Sequence, residues 1–122
     1  MARMMGRILA VDDEEQVVVS LKEFLSAKGY EVHTALNGRQ AIATVKEVRP
    51  HIVLLDIIMP GMNGFDTLKE IRKVDPAIGV IMATAVTDEV VAHRTIELGA
   101  FDYLVKPFDL NCLETVVMVK MI

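Results

Sequence analysis

The chain has one cysteine, Cys112, and no tryptophan. A lone cysteine closes no internal disulfide, which excludes a disulfide-stapled scaffold and agrees with a reducing cytosol. Aromatic residues make up only 5% of the sequence, so the core has to be aliphatic. A basic surplus is also missing: 13 Lys and Arg stand against 17 Asp and Glu, a formal charge of −4. Nucleic-acid-binding domains usually carry a basic face, so direct binding to nucleic acid by this domain is not expected. Long apolar runs are absent. Ile52 to Leu55 and Val80 to Ala83 are strand-sized, far short of the ~20 residues that span a bilayer. The opening Met1-Ala2-Arg3-Met4-Met5 lacks the apolar segment and cleavage site of a signal peptide. There is no repeat of solenoid period and no low-complexity tract.

What is present suits one α/β domain over residues 1–122, 52% hydrophobic and 25% charged. Strand and helix patterns alternate five times. Ile8-Leu9-Ala10-Val11 reads as a strand buried on both faces. A helix is expected from about Glu15 to Lys28, with Val18, Leu21 and Phe24 or Leu25 at helical spacing and Gly29 as its C-terminal cap. Glu31 to Ala35 reads as a strand. Asn37 with Gln40 has the form of a capping box, opening a helix that runs to about Val48, before Pro50. Ile52 to Leu55 is the clearest buried strand and ends on Asp56. A loop with Pro60, Gly61 and Gly64 precedes a helix from about Phe65 to Lys73, ended by Asp75-Pro76. Val80 to Ala83 leads to Thr84, and a helix capped by Thr87 or Asp88 stops at Gly99. Tyr103-Leu104-Val105 leads to Lys106, and Asp109 caps a last helix still running at Ile122. Five such units predict a parallel sheet with helices on both faces. The uncapped apolar ending raises the expectation of an output domain beyond residue 122.

In an open α/β sheet, ligands bind beyond the carboxyl ends of the strands. Here those ends carry Asp12 and Asp13, Asp56, Thr84 and Lys106. Singly, each has an ordinary reading: acidic turn residues, a β-branched strand residue, a surface lysine before a proline. Jointly they bring three carboxylates to one edge. Two unit charges ~4 Å apart cost about 4 kcal/mol at an effective dielectric of ~20. Lys106 supplies one neutralising charge and a hard divalent cation would supply two more. Magnesium takes oxygen ligands and typically one or two carboxylates with a phosphate oxygen. A carboxylate so placed can attack phosphorus, forming an aspartyl phosphate, and phosphoryl transfer needs mainly positioning and charge stabilisation.

The segments Ile8-Leu9-Ala10-Val11-Asp12-Asp13-Glu14, Asp56-Ile57-Ile58-Met59-Pro60-Gly61-Met62-Asn63-Gly64, Ala83-Thr84-Ala85 and Gly99 to Phe108 resemble the response-regulator receiver domains of two-component signalling, and the resemblance covers essentially the whole chain. It implies a flavodoxin-like (βα)5 three-layer sandwich with strand order 2-1-3-4-5. That order is implied by the resemblance and not by the apolar pattern. It also implies that Asp56 accepts a phosphoryl group from a sensor histidine kinase or phosphotransfer protein. Asp13, Asp56 and the backbone carbonyl of Ile58 would bind Mg2+ directly, and Asp12 through water. Lys106 would pair with the phosphoryl group, across a cis Lys106-Pro107 peptide; only X–Pro bonds make the cis form accessible. Thr84 would move toward the phosphoryl oxygens and Tyr103 would turn inward behind it, switching an α4-β5-α5 type surface. Ile58 and Val86 occupy the two positions that tune self-hydrolysis. Both are apolar and unable to orient a water, so slow loss of the phosphoryl group is expected.

The resemblance implies a cytoplasmic signalling switch and not a conventional enzyme, with no membrane association. A haloacid-dehalogenase-type hydrolase would separate its two aspartates by one residue, whereas Asp12 and Asp13 are adjacent. A flavodoxin-like electron carrier would need a phosphate-binding loop where Asp12-Asp13-Glu14-Glu15 stands. An inactive receiver kept for dimerisation usually lacks a member of the acidic set or the lysine. His33, His51 and His93 have no metal-type spacing and read as satisfied or exposed. Met59 and Met62 are read as adaptable contacts in the acceptor loop. Val17 and Val19 cannot both face the core, which leaves one for kinase contact. Val116, Val117 and Val119 are too many for one face, which points to a homodimer or output-domain contact. Gly99 to Tyr103 leans toward receivers attached to transcriptional activators.

Overall fold

The computed structural model describes residues 5–59, 61–85 and 89–121. Five strands, β1 (Arg7–Val11), β2 (Glu31–Ala35), β3 (Ile52–Asp56), β4 (Gly79–Thr84) and β5 (Asp102–Val105), alternate with five helices. The helices are α1 (Glu15–Ala27), α2 (Gly38–Val48), α3 (Gly64–Val74), α4 (Glu89–Glu97) and α5 (Leu110–Met121). The strands form one sheet in the order β2-β1-β3-β4-β5, every pair parallel. This is the flavodoxin-like arrangement, and the switch point lies between β1 and β3, whose crossovers leave on opposite sides.

Alternation along the strands sorts the core into two layers. Leu9, Val11, Val53, Leu55, Val80 and Met82 face α2 and α3, meeting Ala41, Val45, Leu68 and Ile71. Ile8, Ala10, Ile52, Leu54 and Ile81 face α1 and α5, meeting Val18, Leu21, Leu25, Leu113 and Val117. Each fully buried Leu or Ile contributes roughly 1.5–3 kcal/mol, so the central strands anchor whatever sits at their ends. Several strands begin one residue earlier than the apolar runs. The parallel ladder starts before the first hydrophobic residue of the run: Arg7 pairs with Glu31, and Gly79 with Ile52.

Helix ends follow local chemistry. Gly29 (φ +100°) closes α1, with its N–H donating to Ser26 O and the Tyr30 N–H to Leu25 O. Asn37 caps α2, its Oδ1 accepting from the Gln40 N–H at 2.9 Å. The Gln40 side chain accepts from Leu36 N–H rather than from Asn37, so the expected reciprocal box is shifted by one residue. Thr87 and Asp88, the expected caps of α4, lie outside the described residues, as do Pro60, Val86 and Ile122. Among the described residues no helix is long and apolar enough to cross a membrane.

Candidate functional site

The carboxyl ends of β1, β3, β4 and β5 converge. Asp12 follows Val11, which pairs with Leu55, and Asp56 pairs with Ala83. Thr84 pairs with Val105 and its carbonyl accepts from Lys106 N–H at 2.7 Å. Register alone therefore brings Asp12, Asp56, Thr84 and Lys106 to one edge. Asp12, Asp56 and Thr84 are buried, with 2%, 8% and 0% exposure. Asp12, Asp13 and Asp56 each offer a carboxylate oxygen within 4.8 Å of the others, and Asp13 is the exposed member.

The like charges are held by Lys106. Its ammonium donates to Asp12 Oδ2 in an ion pair and lies 3.4 Å from Asp56 Oδ2. Backbone groups satisfy the remaining lobes: Asp12 Oδ1 accepts from Glu14 N–H at 3.0 Å and Asp56 Oδ1 from Ile58 N–H at 3.2 Å. Burial pushes the Asp56 carboxyl above the usual range. Lys106 pulls it back, Asp12 raises it further and the Ile58 N–H lowers it. For Lys106 burial acts downward but is outweighed by the hydrogen bond to Asp12 and the charges of Asp56 and Asp12, so its affinity for the proton is raised.

The loop after β3 is positioned by residues that the apolar pattern does not reveal. Gly64 N–H donates to Ile57 O at 2.8 Å, and a Cβ at Gly64 would stand 2.4 Å from Asp56 O and 2.5 Å from Ile57 Cα. Only glycine lets the loop return this close to the Asp56 backbone. Asn63 caps α3, its side chain accepting from Asp66 N–H at 2.9 Å. The Asn-Gly pair before an amphipathic run is the sequence signal for this cap. Met59 is 6% exposed and packs in the core, correcting its reading as a loop contact; Met62 is half-buried against Gly38. Ile58 is 62% exposed at the rim. Tyr103 is half-buried at the edge of the α2–α3 layer. The Lys106-Pro107 peptide is cis. His33 pairs with Glu31, His51 accepts from the Arg7 backbone N–H and His93 is exposed, so none joins the site.

A family model described as the response regulator receiver domain matches residues 8–118. The chain belongs to the response-regulator receiver family. Chemotaxis protein CheY of Thermotoga maritima is 44% identical over 103 residues, covering 84% of this chain and 86% of that protein. Regulatory protein AtoC of Escherichia coli is 42% identical over 112 residues, 92% of this chain but 24% of AtoC. The DNA-binding response regulator MtrA of Mycobacterium tuberculosis is 41% identical over 108 residues, 88% of this chain and 47% of MtrA. This receiver thus spans about a quarter of one of these relatives and about half of another. Among solved structures, Vibrio cholerae CheY4 superposes with a TM-score of 0.89 at 31% identity, over 96% of this chain and 98% of that one. NtrX of Brucella abortus superposes with a TM-score of 0.90 at 32% identity, over 97% of this chain and 27% of NtrX. The receiver family interacts with kinases and many members carry output domains.

Proposed function

We propose that this receiver is a phosphorylation-dependent switch in which Asp56 accepts a phosphoryl group from a phosphohistidine on a kinase or phosphotransfer protein. The observation that carries this reading is the buried Asp12–Lys106–Asp56 constellation with Asp13 beside it. An Asp56 carboxylate oxygen forms the bond to phosphorus as the phosphorus–nitrogen bond of the donor breaks, and the imidazole, protonated on its other ring nitrogen in the donor, leaves as the neutral ring. Lys106, already shared between Asp12 and Asp56, follows the new charge, and the Thr84 hydroxyl supplies a donor for a further phosphoryl oxygen.

The donor set fits a hard cation: three carboxylates, two of them buried, with neither sulfur nor imidazole among the clustered groups. Asp12, Asp13, Asp56 and the Ile58 carbonyl would hold Mg2+. When bound, it offsets the negative charge that accumulates on the phosphoryl oxygens. A groove of about 600 Å³ beside Lys106, lined by Val17, Leu21, Pro107, Phe108 and Leu110, suits the apolar face of a kinase helix. Val17 is turned into this groove, whereas Val19 is 46% exposed.

Tyr103 reports the state of the site to the exposed apolar side chains of α4, β5 and α5, through which the domain meets an output domain or a second copy. The activity is confined to its own phosphorylation and a slow hydrolysis set by apolar Ile58 and Val86. The test is incubation with a phosphorylated histidine donor and magnesium, followed by peptide mapping. Label on a peptide carrying Asp56 is expected, and label elsewhere contradicts the assignment. Rapid hydrolysis that Ile58→Asn does not alter contradicts the tuning role.

A further inference from the structure

At the end of the sheet opposite Asp56, a cleft of about 290 Å³ opens between the start of β1, the turns before β3 and β4, and the last turn of α5. Arg7, Arg49, Lys120 and His51 line it, with Asp75 as the one carboxylate. Three permanent cations thus face a single acid in a chain whose formal charge is −4. Among the described residues none of the three makes an ion pair; the pairs formed are elsewhere.

The backbone holds the arginines in place instead. Arg7 Nε donates to Val48 O at 3.1 Å and Nη2 to Arg49 O at 2.8 Å. Arg49 Nη1 donates to Val74 O at 3.4 Å. These carbonyls end α2 and α3, where a cation complements the helix dipole. Capping explains each arginine singly, but each guanidinium has five N–H donors and the remaining edges are left over. The Lys120 stem lies across Gly79, close enough that a Cβ there would meet its Cε at 2.5 Å, and its ammonium sits 5.6 Å from the Phe101 ring centre. His51 Nδ1 accepts from Arg7 N–H at 3.0 Å, so the neutral ring carries its proton on Nε2 as a further donor. Asp75 Oδ1 is engaged by Ala77 N–H at 2.9 Å.

We propose that this cleft binds the phosphate group of a small anion. Guanidinium forks match phosphate oxygens, and forks already fixed on carbonyls lose little freedom on binding. The volume lies at the low end for ligand pockets, which suits one or two phosphate groups and not a folded partner. Because one wall is the last turn of α5, the anion ties that helix to the turns before β3 and β4.

The site is independent of phosphorylation at Asp56, so it is tested in Asp56→Asn without magnesium. Amide spectra are recorded during titration with inorganic phosphate and with pyrophosphate, against chloride at equal ionic strength. Saturable shifts at Arg7, Arg49, His51 and Ile78 are expected, with a Kd on the order of 1 mM. Tighter binding of pyrophosphate identifies a two-phosphate ligand, and equal binding a single phosphate; either supports the site. Arg49→Gln with Lys120→Gln is expected to weaken binding at least tenfold, and Arg49→Lys, a milder change that keeps the charge and removes the fork, to weaken it less. Shifts that chloride reproduces, that do not saturate, or that survive in both variants overturn the proposal.

Discussion

The middle of the sheet and its β5 edge are built differently. Every residue of β3 is buried and α3 buries Gly64, Thr67, Leu68 and Ile71. No residue of β5 is fully buried, and α4 buries only Thr95. The apolar side chains left outside concentrate on the β5 side: Val90, Ile96, Phe101, Val105, Met118 and Val119 are all at least 39% exposed. A group that must hold buried charge in fixed geometry needs the rigid side, because packed interiors do not deform gradually. The loose side suits the rearranging surface of the proposed switch, because regions with few buried contacts open at low free-energy cost. Lys106 links the two, leaving β5 to reach Asp12 and Asp56.

The comparison can be broken first at the core. Leu55→Ala in β3 is expected to cost about 3 kcal/mol, while Val105→Ala in β5 costs less than about 0.5 kcal/mol, read by urea unfolding. Similar losses at both positions would remove the asymmetry. The link itself is next. Lys106→Met leaves two buried carboxylates without their cation and should cost about 2 kcal/mol, below the penalty for a fully buried pair because the Lys106 side chain is 23% exposed.

Removing one charge should do the reverse. In metal-free buffer, Asp56→Asn is expected to stabilise the fold by about 1 kcal/mol, a few degrees in Tm. The sign follows from the raised Asp56 pKa, caused first by burial. The folded state prefers the protonated carboxyl, so no penalty exists below the unfolded pKa of about 3.9. The penalty grows as pH rises through the folded value and is complete above it. The gap between variant and wild type should therefore widen from acid to neutral pH, and a gap that narrows would contradict it. Lys106 adds a loss on the alkaline side, since its raised pKa contributes stability that disappears as pH climbs through the folded value. The smallest effect is at the surface. Val119→Ser, at a position 56% exposed, should move stability by no more than about 0.5 kcal/mol. Its effect should appear instead in self-association measured by light scattering after phosphorylation.

Most of this arrangement is legible in the chain itself. Unbroken apolar runs such as Ile52 to Leu55 mark strands buried on both faces, and a polar residue at the end of each run marks the site edge. The strand order came with the family resemblance and not from the pattern. Packing decided the remainder. Met59 was read as an adaptable contact because it lies in a loop, yet it packs in the core, where the loop folds back as Gly64 lets it approach Asp56. Lys106 was expected to offset the clustered carboxylates as well as to meet a phosphoryl group, and it does pair with Asp12, but which carboxylate it takes, across 94 residues, is not encoded in local pattern. Arg7 and Arg49 carried no motif at all; their meeting depends on where α2 and α3 end.

The most direct test of Asp56 is incubation with acetyl phosphate and magnesium, read by intact mass. The wild-type chain should gain one phosphoryl group and Asp56→Asn none. An unmodified wild type, or equal labelling of the variant, would contradict the account.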